Sequence, residues 1–282
     1  MAGVHEPLVV VTGAGGGLGA ATARMLSLDG WSVIAADLPS AALERVADRD
    51  GVTACETDVT DADSVDRLAT VALERTGGRV DAVVNFAGVL EVGSVSEIAE
   101  ERLRRVFEVN VFGTYRVNRA LFDQVVAARG RIVNISSETG GQSGGPFNGP
   151  YAMSKHAIEA YSDSLRREAA LLGVRVVKVQ PGPFRTAMVE SIKRRFDAAA
   201  GSSRWFGAEL RRVGELAAGE QDRAHPPVEL AEVVLEALTA PRPKAAYSVH
   251  AARSRVWLER MPTRMADAAI AAALTSRSRR KR

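Results

Sequence analysis

The chain is poor in residues that cross-link, ligate or anchor. It has one cysteine, Cys55, in 282 residues. An intramolecular disulfide is excluded, which fits a reducing, cytoplasmic setting. Cys55 lies in the apolar run "VTACET" and reads as a packing residue. The four histidines, His5, His156, His225 and His250, are scattered along the sequence. No metal-ligand spacing stands out, and no metal is expected at the site. Neither sign of charge dominates, and the formal net charge is only +3. The high pI partly reflects "RSRRKR" at 277–282. A tail of that kind is usually solvated, so it gives no reason to expect a nucleic-acid partner. "MAGVHEPLVVVTG" lacks the charged start and long apolar centre of a signal peptide. The apolar stretch "ADAAIAAAL" is too short to span a bilayer.

What is present is an alternation of short β-branched runs with longer helical patterns. Strands are expected at 8–12, 32–37, 52–57, 80–88, 131–137 and 174–180. Helices are expected at 17–30, 40–51, 61–77, roughly 98–128, and about 150–172. The strands are continuous apolar runs rather than alternating ones, as in a parallel sheet covered on both faces. Repeated β-α units with right-handed crossovers imply an α/β, doubly wound parallel sheet, the Rossmann arrangement. The pattern changes after residue 186. Residues 187–225 are rich in Arg, Ala and Gly and are expected to fold over the substrate as a lid. A helix at 226–241, a last strand at 245–250, and a helical extension on either side of Pro262 within 251–276 complete the chain. No linker separates a second domain, so 1–282 is expected to form a single domain.

"TGAGGGLG" (12–19) follows the first strand and opens the first helix. Glycine lets main chain approach a pyrophosphate, and a helix N-terminus favours its charge. Gly13, Gly17 and Gly19, with Leu18, are the expected contacts. No Lys-Ser/Thr pair follows, so this is not a P-loop. Asp37 ends the second strand. A carboxylate there can accept hydrogen bonds from both adenosine ribose hydroxyls and would repel a 2′-phosphate. Its plainer role is a cap for the helix that follows. No Arg or Lys stands in the glycine loop or next to Asp37, which favours NAD over NADP.

"YAMSK" (151–155) places a phenol and an ammonium on one helix face at i and i+4. Free tyrosine has a pKa near 10. A neighbouring ammonium and a nicotinamide positive charge are expected to lower it, so that the Tyr151 proton can move near neutral pH.

With these residues together the chain resembles the short-chain dehydrogenase/reductase family. The motifs are "TGAGGGLG", Asp58-Val59, "NFAG" (85–88), Asn110, Ser137, "YAMSK" and "PGPFRT" (181–186). The likeness covers about residues 7–186 and continues more loosely to about 250. It departs from the family at Phe86, where the family usually has Asn, and in one extra residue between Ser137 and Tyr151. Side chains alternate faces on a strand, so only one of Ser136 and Ser137 can aim at the site; the expectation is Ser137.

The resemblance implies a catalytic set of Asn110, Ser137, Tyr151 and Lys155. Lys155 would hold the nicotinamide ribose, Ser137 the substrate oxygen, and Asn110 a water connecting Lys155 to solvent. Asp58, Val59, Asn85, Ala87 and Gly88 would lie beside the cofactor. Pro181 and Gly182 would turn over the nicotinamide, with Phe184 and Thr186 fixing its carboxamide. Stretches around 149–169 and 228–247 resemble the retinol and 17β-hydroxysteroid dehydrogenases. The implied substrate is a bulky apolar secondary alcohol or its ketone, with Phe147, Met188, Trp205 and Phe206 as pocket candidates or plain core residues. The resemblance also implies a homodimer or homotetramer paired through the two long helices. The rival readings are an NADP-dependent carbonyl reductase, a silent dinucleotide-binding regulator, and a protein held weakly at anionic membranes by its basic tail. The regulator would be expected to lack Tyr151 or Lys155.

Overall fold

The computed structural model describes residues 6–221 and 223–275. His5, the basic tail and its membrane reading lie outside the described residues. Seven parallel strands form one sheet: β1 (Leu8–Thr12), β2 (Ser32–Asp37), β3 (Val52–Glu56), β4 (Ala82–Asn85), β5 (Arg131–Ile135), β6 (Arg175–Pro181) and β7 (Ala246–Val249). Their order is β3-β2-β1-β4-β5-β6-β7. The direction of winding reverses between β1 and β4, where Thr12 pairs with both Ala36 and Asn85. That switch point opens a crevice at the carboxyl ends of the strands.

The apolar runs are explained by two cores. Val9 and Val11 face one layer, with α1 (Gly17–Leu28), α2 (Ala41–Ala47) and α10 (Pro227–Thr239). Leu8 and Val10 face the other, with α3 (Ala62–Thr76), α5 (Thr114–Ala128) and α6 (Gly149–Ala169). Successive strand side chains point to opposite faces, so a strand covered on both sides must be apolar throughout. Caps set the helix starts. Ser40 Oγ accepts from Leu43 N–H at the start of α2, and Asp61 accepts from Asp63 N–H at the start of α3.

Two elements differ from the sequence reading. The strand expected over 80–88 is only Ala82–Asn85, and the chain then peels away from the sheet. The helix expected over 98–128 comprises α4 (Glu100–Phe107), a π-helical turn over Glu108–Gly113, and α5. Asn110 lies in that turn, and the Thr114 hydroxyl donates to its carbonyl oxygen. One wide turn in a long helix is a common device for re-aiming a functional side chain, and composition does not announce it.

Beyond β6 the segment expected to be a lid is helical: α7 (Ala187–Glu190), α8 (Ile192–Ser202) and α9 (Gly207–Gln221). Glu97 anchors it by accepting from Ser203 Oγ and from the N–H groups of Arg204 and Trp205. The chain ends in α11 (Arg253–Glu259) and α12 (Thr263–Thr275) on either side of Pro262. Among the described residues no helix is long and apolar enough to cross a membrane.

Candidate active site

The crevice at the switch point is a cleft of about 1300 Å³. Its floor is the glycine loop. Gly13 adopts φ +66, and a Cβ there would lie 2.6 Å from Ala87 N, so no other residue fits between β1 and the segment after β4. Gly17, Leu18 and Gly19 also line the cleft and open α1, whose N-cap Gly16 carries no side-chain bond. The bare N–H groups of a helix start suit a pyrophosphate.

Asp37 stands at one end. Its Oδ2 accepts from Gly15 N–H and its Oδ1 from Leu38 N–H, both at 2.7 Å. The cap of α2 is Ser40, so Asp37 is not that cap. Leu38, Asp58, Val59 and Thr60 line the same cleft, and Asp58 Oδ1 holds a turn by accepting from the N–H and hydroxyl of Thr60. The cleft's arginines, Arg104 and Arg105, come from α4.

At the other end lie Ser137, Tyr151 and Lys155, with Pro181, Gly182, Phe184, Thr186 and Met188 opposite. Ser137 caps a short 3₁₀ turn, Glu138–Gly140, accepting from Thr139 N–H at 3.3 Å and lying 3.1 Å from Thr139 Oγ1. It also acts on the Tyr151 phenol, favouring the ionised form. The neighbouring Ser136 hydroxyl is directed instead at the Lys155 carbonyl oxygen, 3.5 Å away. Strand alternation thus separates the two serines, and Ser137 faces the tyrosine.

The Tyr151 pKa departs from the sequence expectation. Burial pushes the phenol up to about 12, opposed by Ser137 and reinforced by the Glu138 charge. The Lys155 ammonium lies 5.6 Å from the tyrosine ring centroid and donates to the Ile135 carbonyl oxygen at 2.9 Å. Its own pKa is lowered to about 8 by burial, against the pull of Glu159. Desolvation outweighs the ammonium here, so the fall expected from the i, i+4 pairing is not present in this arrangement.

Several expected site residues lie away from the cleft. Asn110 braces it from behind: Oδ1 accepts from Val89 N–H at 2.7 Å, and Nδ2 donates to the Val89 carbonyl and to Ser154 Oγ, each at 3.0 Å. Asn85 is buried, donating to Asn118 Oδ1 and Asn134 Oδ1 at 2.7 and 3.0 Å. Those asparagines reach on to Tyr161 and Ser162. This network between β4, β5, α5 and α6 has no periodic signature in the sequence. Phe147 and Phe206 pack together at 5.5 Å, in an apolar cluster that includes Tyr151 and Met188. Trp205 does not face the cleft; it is 66% exposed, with the Arg204 guanidinium 4.4 Å from its ring. Phe86 lines the cleft where the family usually has asparagine.

Away from the cleft, three residues scattered in the sequence meet. His225, Glu229 and His250 bring donor atoms within 4.8 Å of one another. Only a pair of these is close in sequence, and the fold supplies the third.

The family model described as short chain dehydrogenase matches residues 7–196. The chain belongs to the short-chain dehydrogenase family. It is 37% identical over 191 residues to "Oxidoreductase UcpA" of Salmonella typhimurium, covering 66% of this chain and 72% of that protein. Retinol dehydrogenase 7 of Rattus norvegicus is 30% identical over 282 residues, covering 95% and 88%. 17-beta-hydroxysteroid dehydrogenase type 6 of the same organism is 35% identical over 192 residues, covering 67% and 60%. Among solved structures, a short-chain dehydrogenase from Streptomyces avermitilis superposes with a TM-score of 0.75 at 29% identity, over 98% of both chains. Actinorhodin polyketide ketoreductase with NADPH superposes with a TM-score of 0.74 at 27% identity, over 87% of this chain and 95% of that one. The chain is therefore an oxidoreductase of this family, with retinol and 17-beta-hydroxysteroid dehydrogenases among its relatives, and the family's cofactor is a nicotinamide dinucleotide.

Proposed function

We propose that the chain is an NAD-dependent dehydrogenase that interconverts an apolar secondary alcohol, steroid- or retinoid-like in character, and its ketone. The observation that carries the cofactor choice is Asp37. Its carboxylate lines the cleft with Leu38, Asp58 and Thr60, while the cleft's arginines stand on α4, where Arg104 is paired with Glu100. Gly13 and Gly17–Gly19 would hold the pyrophosphate, Asp37 the adenosine ribose, Lys155 the second ribose, and Thr186 with the Phe184 main chain the carboxamide. When bound, the nicotinamide accepts hydride from the alcohol or gives it to the ketone, and the protein's part is orientation and proton transfer.

In reduction the protonated Tyr151 gives its proton to the carbonyl oxygen; in oxidation the substrate hydroxyl proton would pass to the ionised Tyr151 oxygen, a form that the positive charge of a bound nicotinamide would favour. Ser137 donates to the same substrate oxygen and stabilises its developing charge. Asn110 acts by positioning, since it holds the Val89 segment and the first turns of α6 through Ser154. The apolar character of the substrate rests on the cluster beside Tyr151, where Met188, Phe147 and Phe206 gather under α8 and α9, and on the printed names of the relatives. The lid role of 187–225 rests on the same packing.

The test is an NAD(+)-linked turnover screen over steroid, retinoid and short-chain alcohols. Saturable turnover of a bulky apolar alcohol is expected. Turnover confined to small polar alcohols would remove the substrate reading, and turnover only with NADP(+) would remove the cofactor reading.

A further inference from the structure

His225 stands just before α10, Glu229 in its first turn, and His250 just past β7. Nδ1 of His225 and Nε2 of His250 lie 3.2 and 2.6 Å from the same oxygen, Oε2 of Glu229. The two imidazole rings stack with centroids 3.5 Å apart and planes 2° from parallel. Phe184 walls the cluster from below, its ring centroid 6.1 and 5.7 Å from the two imidazoles. All three ligand side chains are about one-third exposed, so an ion can reach them.

We propose that His225, Glu229 and His250 form a binding site for a divalent transition-metal cation of the zinc class. Zinc bonds nitrogen and oxygen at about 2.0–2.2 Å in a tetrahedron, which sets neighbouring donor atoms about 3.3 Å apart. The separations of 2.6 and 3.2 Å from the carboxylate oxygen are both shorter than that spacing, and the stacked rings would have to tilt out of parallel for both lone pairs to meet at one ion. Two imidazoles and one carboxylate form a borderline nitrogen–oxygen set, which suits zinc, cobalt or nickel rather than magnesium or calcium. The fourth position would be left to water. The plainer arrangement is a hydrogen-bonded triad without an ion, and the two differ in stoichiometric binding.

The site would act on the cofactor loop. His225 N–H donates to the Pro183 carbonyl and its own carbonyl accepts from Arg185 N–H. Gly182 N–H donates to the Val249 carbonyl, and a Cβ on Gly182 would collide with the His250 carbonyl oxygen. His225 therefore grips the 182–185 segment through main chain, while His250 lies against Gly182 next to the Val249 carbonyl that binds it, and a shared ion would fasten the two sides together. This inference stands apart from the choice of substrate or cofactor.

The experiment is calorimetric titration of Zn²⁺ into the full chain, free of any histidine tag, with Mg²⁺ as control. One Zn²⁺ per chain, bound at micromolar concentration or tighter with a rise in melting temperature, is expected, and no response to Mg²⁺. Glu229→Gln and His250→Asn should each weaken zinc binding at least tenfold while circular dichroism stays native. Asparagine is chosen because His250 has φ +55, a conformation asparagine tolerates well. Absence of saturable one-to-one binding by the wild type, or unchanged binding by both variants, would overturn the site. Should a variant fail to fold, Co²⁺ added to the wild type decides. A visible absorption band of four- or five-coordinate nitrogen–oxygen ligation supports the site, and the weak spectrum of the hydrated ion overturns it.

Discussion

Lys155 turns its ammonium to the main chain of β5, where Nζ donates to the Ile135 carbonyl oxygen at 2.9 Å. The side chain is buried, and its pKa is lowered from 10.5 to about 8. The unfolded chain therefore holds more protons than the folded one between about pH 8 and 10.5. Stability rises with pH through that window, and below it the buried charge is a standing cost. Lys155→Met should accordingly melt higher than wild type at pH 7, by about 3–6 °C, once the unpaired Ile135 carbonyl has offset part of the gain. The difference should shrink as pH climbs from 8 to 10.5. Turnover should be lost at every pH. Thermal melts at pH 7 and pH 10 check this, and a variant that melts lower at pH 7 would refute it. A residue that costs stability but is needed for turnover is what a functional charge looks like.

Tyr151→Phe should abolish turnover while dinucleotide binding persists, because only the transferable proton is removed. Ser137→Ala should lower turnover about a hundredfold, on the scale of one lost donor to a developing oxyanion. Ser136→Ala should cost far less, since its hydroxyl is directed at the Lys155 carbonyl. Steady-state kinetics on the substrate found by the alcohol screen measure all three. Near-normal turnover of Tyr151→Phe would end the acid/base assignment, and equal losses at the two serines would end the distinction between them.

Much of this site could be read in the sequence because its parts are local. The glycine loop is a strand-to-helix turn, and Tyr151 and Lys155 are one helical turn apart. Strand alternation says that Ser136 and Ser137 differ in direction, but which of them turns to Tyr151 needs the fold. What could not be read depends on partners distant in the chain. Asn110 and Asn85 are identifiable as residues, but not as braces bonded to Val89, Ser154, Asn118 and Asn134. By type Trp205 suits a pocket or the core equally, yet Glu97 holds its main chain and the ring is exposed. The two histidines beside Glu229 are 25 positions apart in sequence, and they reach one loop through the pairing of β6 with β7 and a separate bridge between Phe184 and His225.

Asp37 holds Gly15 N–H at 2.7 Å and lines the cleft. Wild type should bind NADH at least tenfold more tightly than NADPH, because a 2′-phosphate would meet this carboxylate. Asp37→Ala should narrow that ratio chiefly by weakening NADH. It should also loosen the glycine loop, so both cofactors lose some affinity. Fluorescence titration at ordinary salt gives the two constants. Tighter NADPH binding by the wild type would sink the assignment.

Phe112 in the π-helical turn, Tyr115 in α5 and Met153 in α6 are 49, 43 and 47% exposed. Large apolar side chains at that exposure, on neighbouring helices, form a patch that a second copy could cover. Phe112 and Met153 also line the cleft, so covering them would narrow the opening to solvent. A two-fold interface would bring the same patch from each copy together, and the expected assembly is an even-order homo-oligomer. Two glutamates placed at the centre of such a contact would face their own images, with charge repulsion added to lost apolar burial. The double variant Phe112→Glu/Tyr115→Glu should therefore run as a 30 kDa monomer, while its circular dichroism stays native because neither side chain is in the core. Light scattering at micromolar concentration measures the mass of both proteins. A wild type that is itself a 30 kDa monomer, or a double variant that keeps the wild-type mass, would rule this face out as the interface.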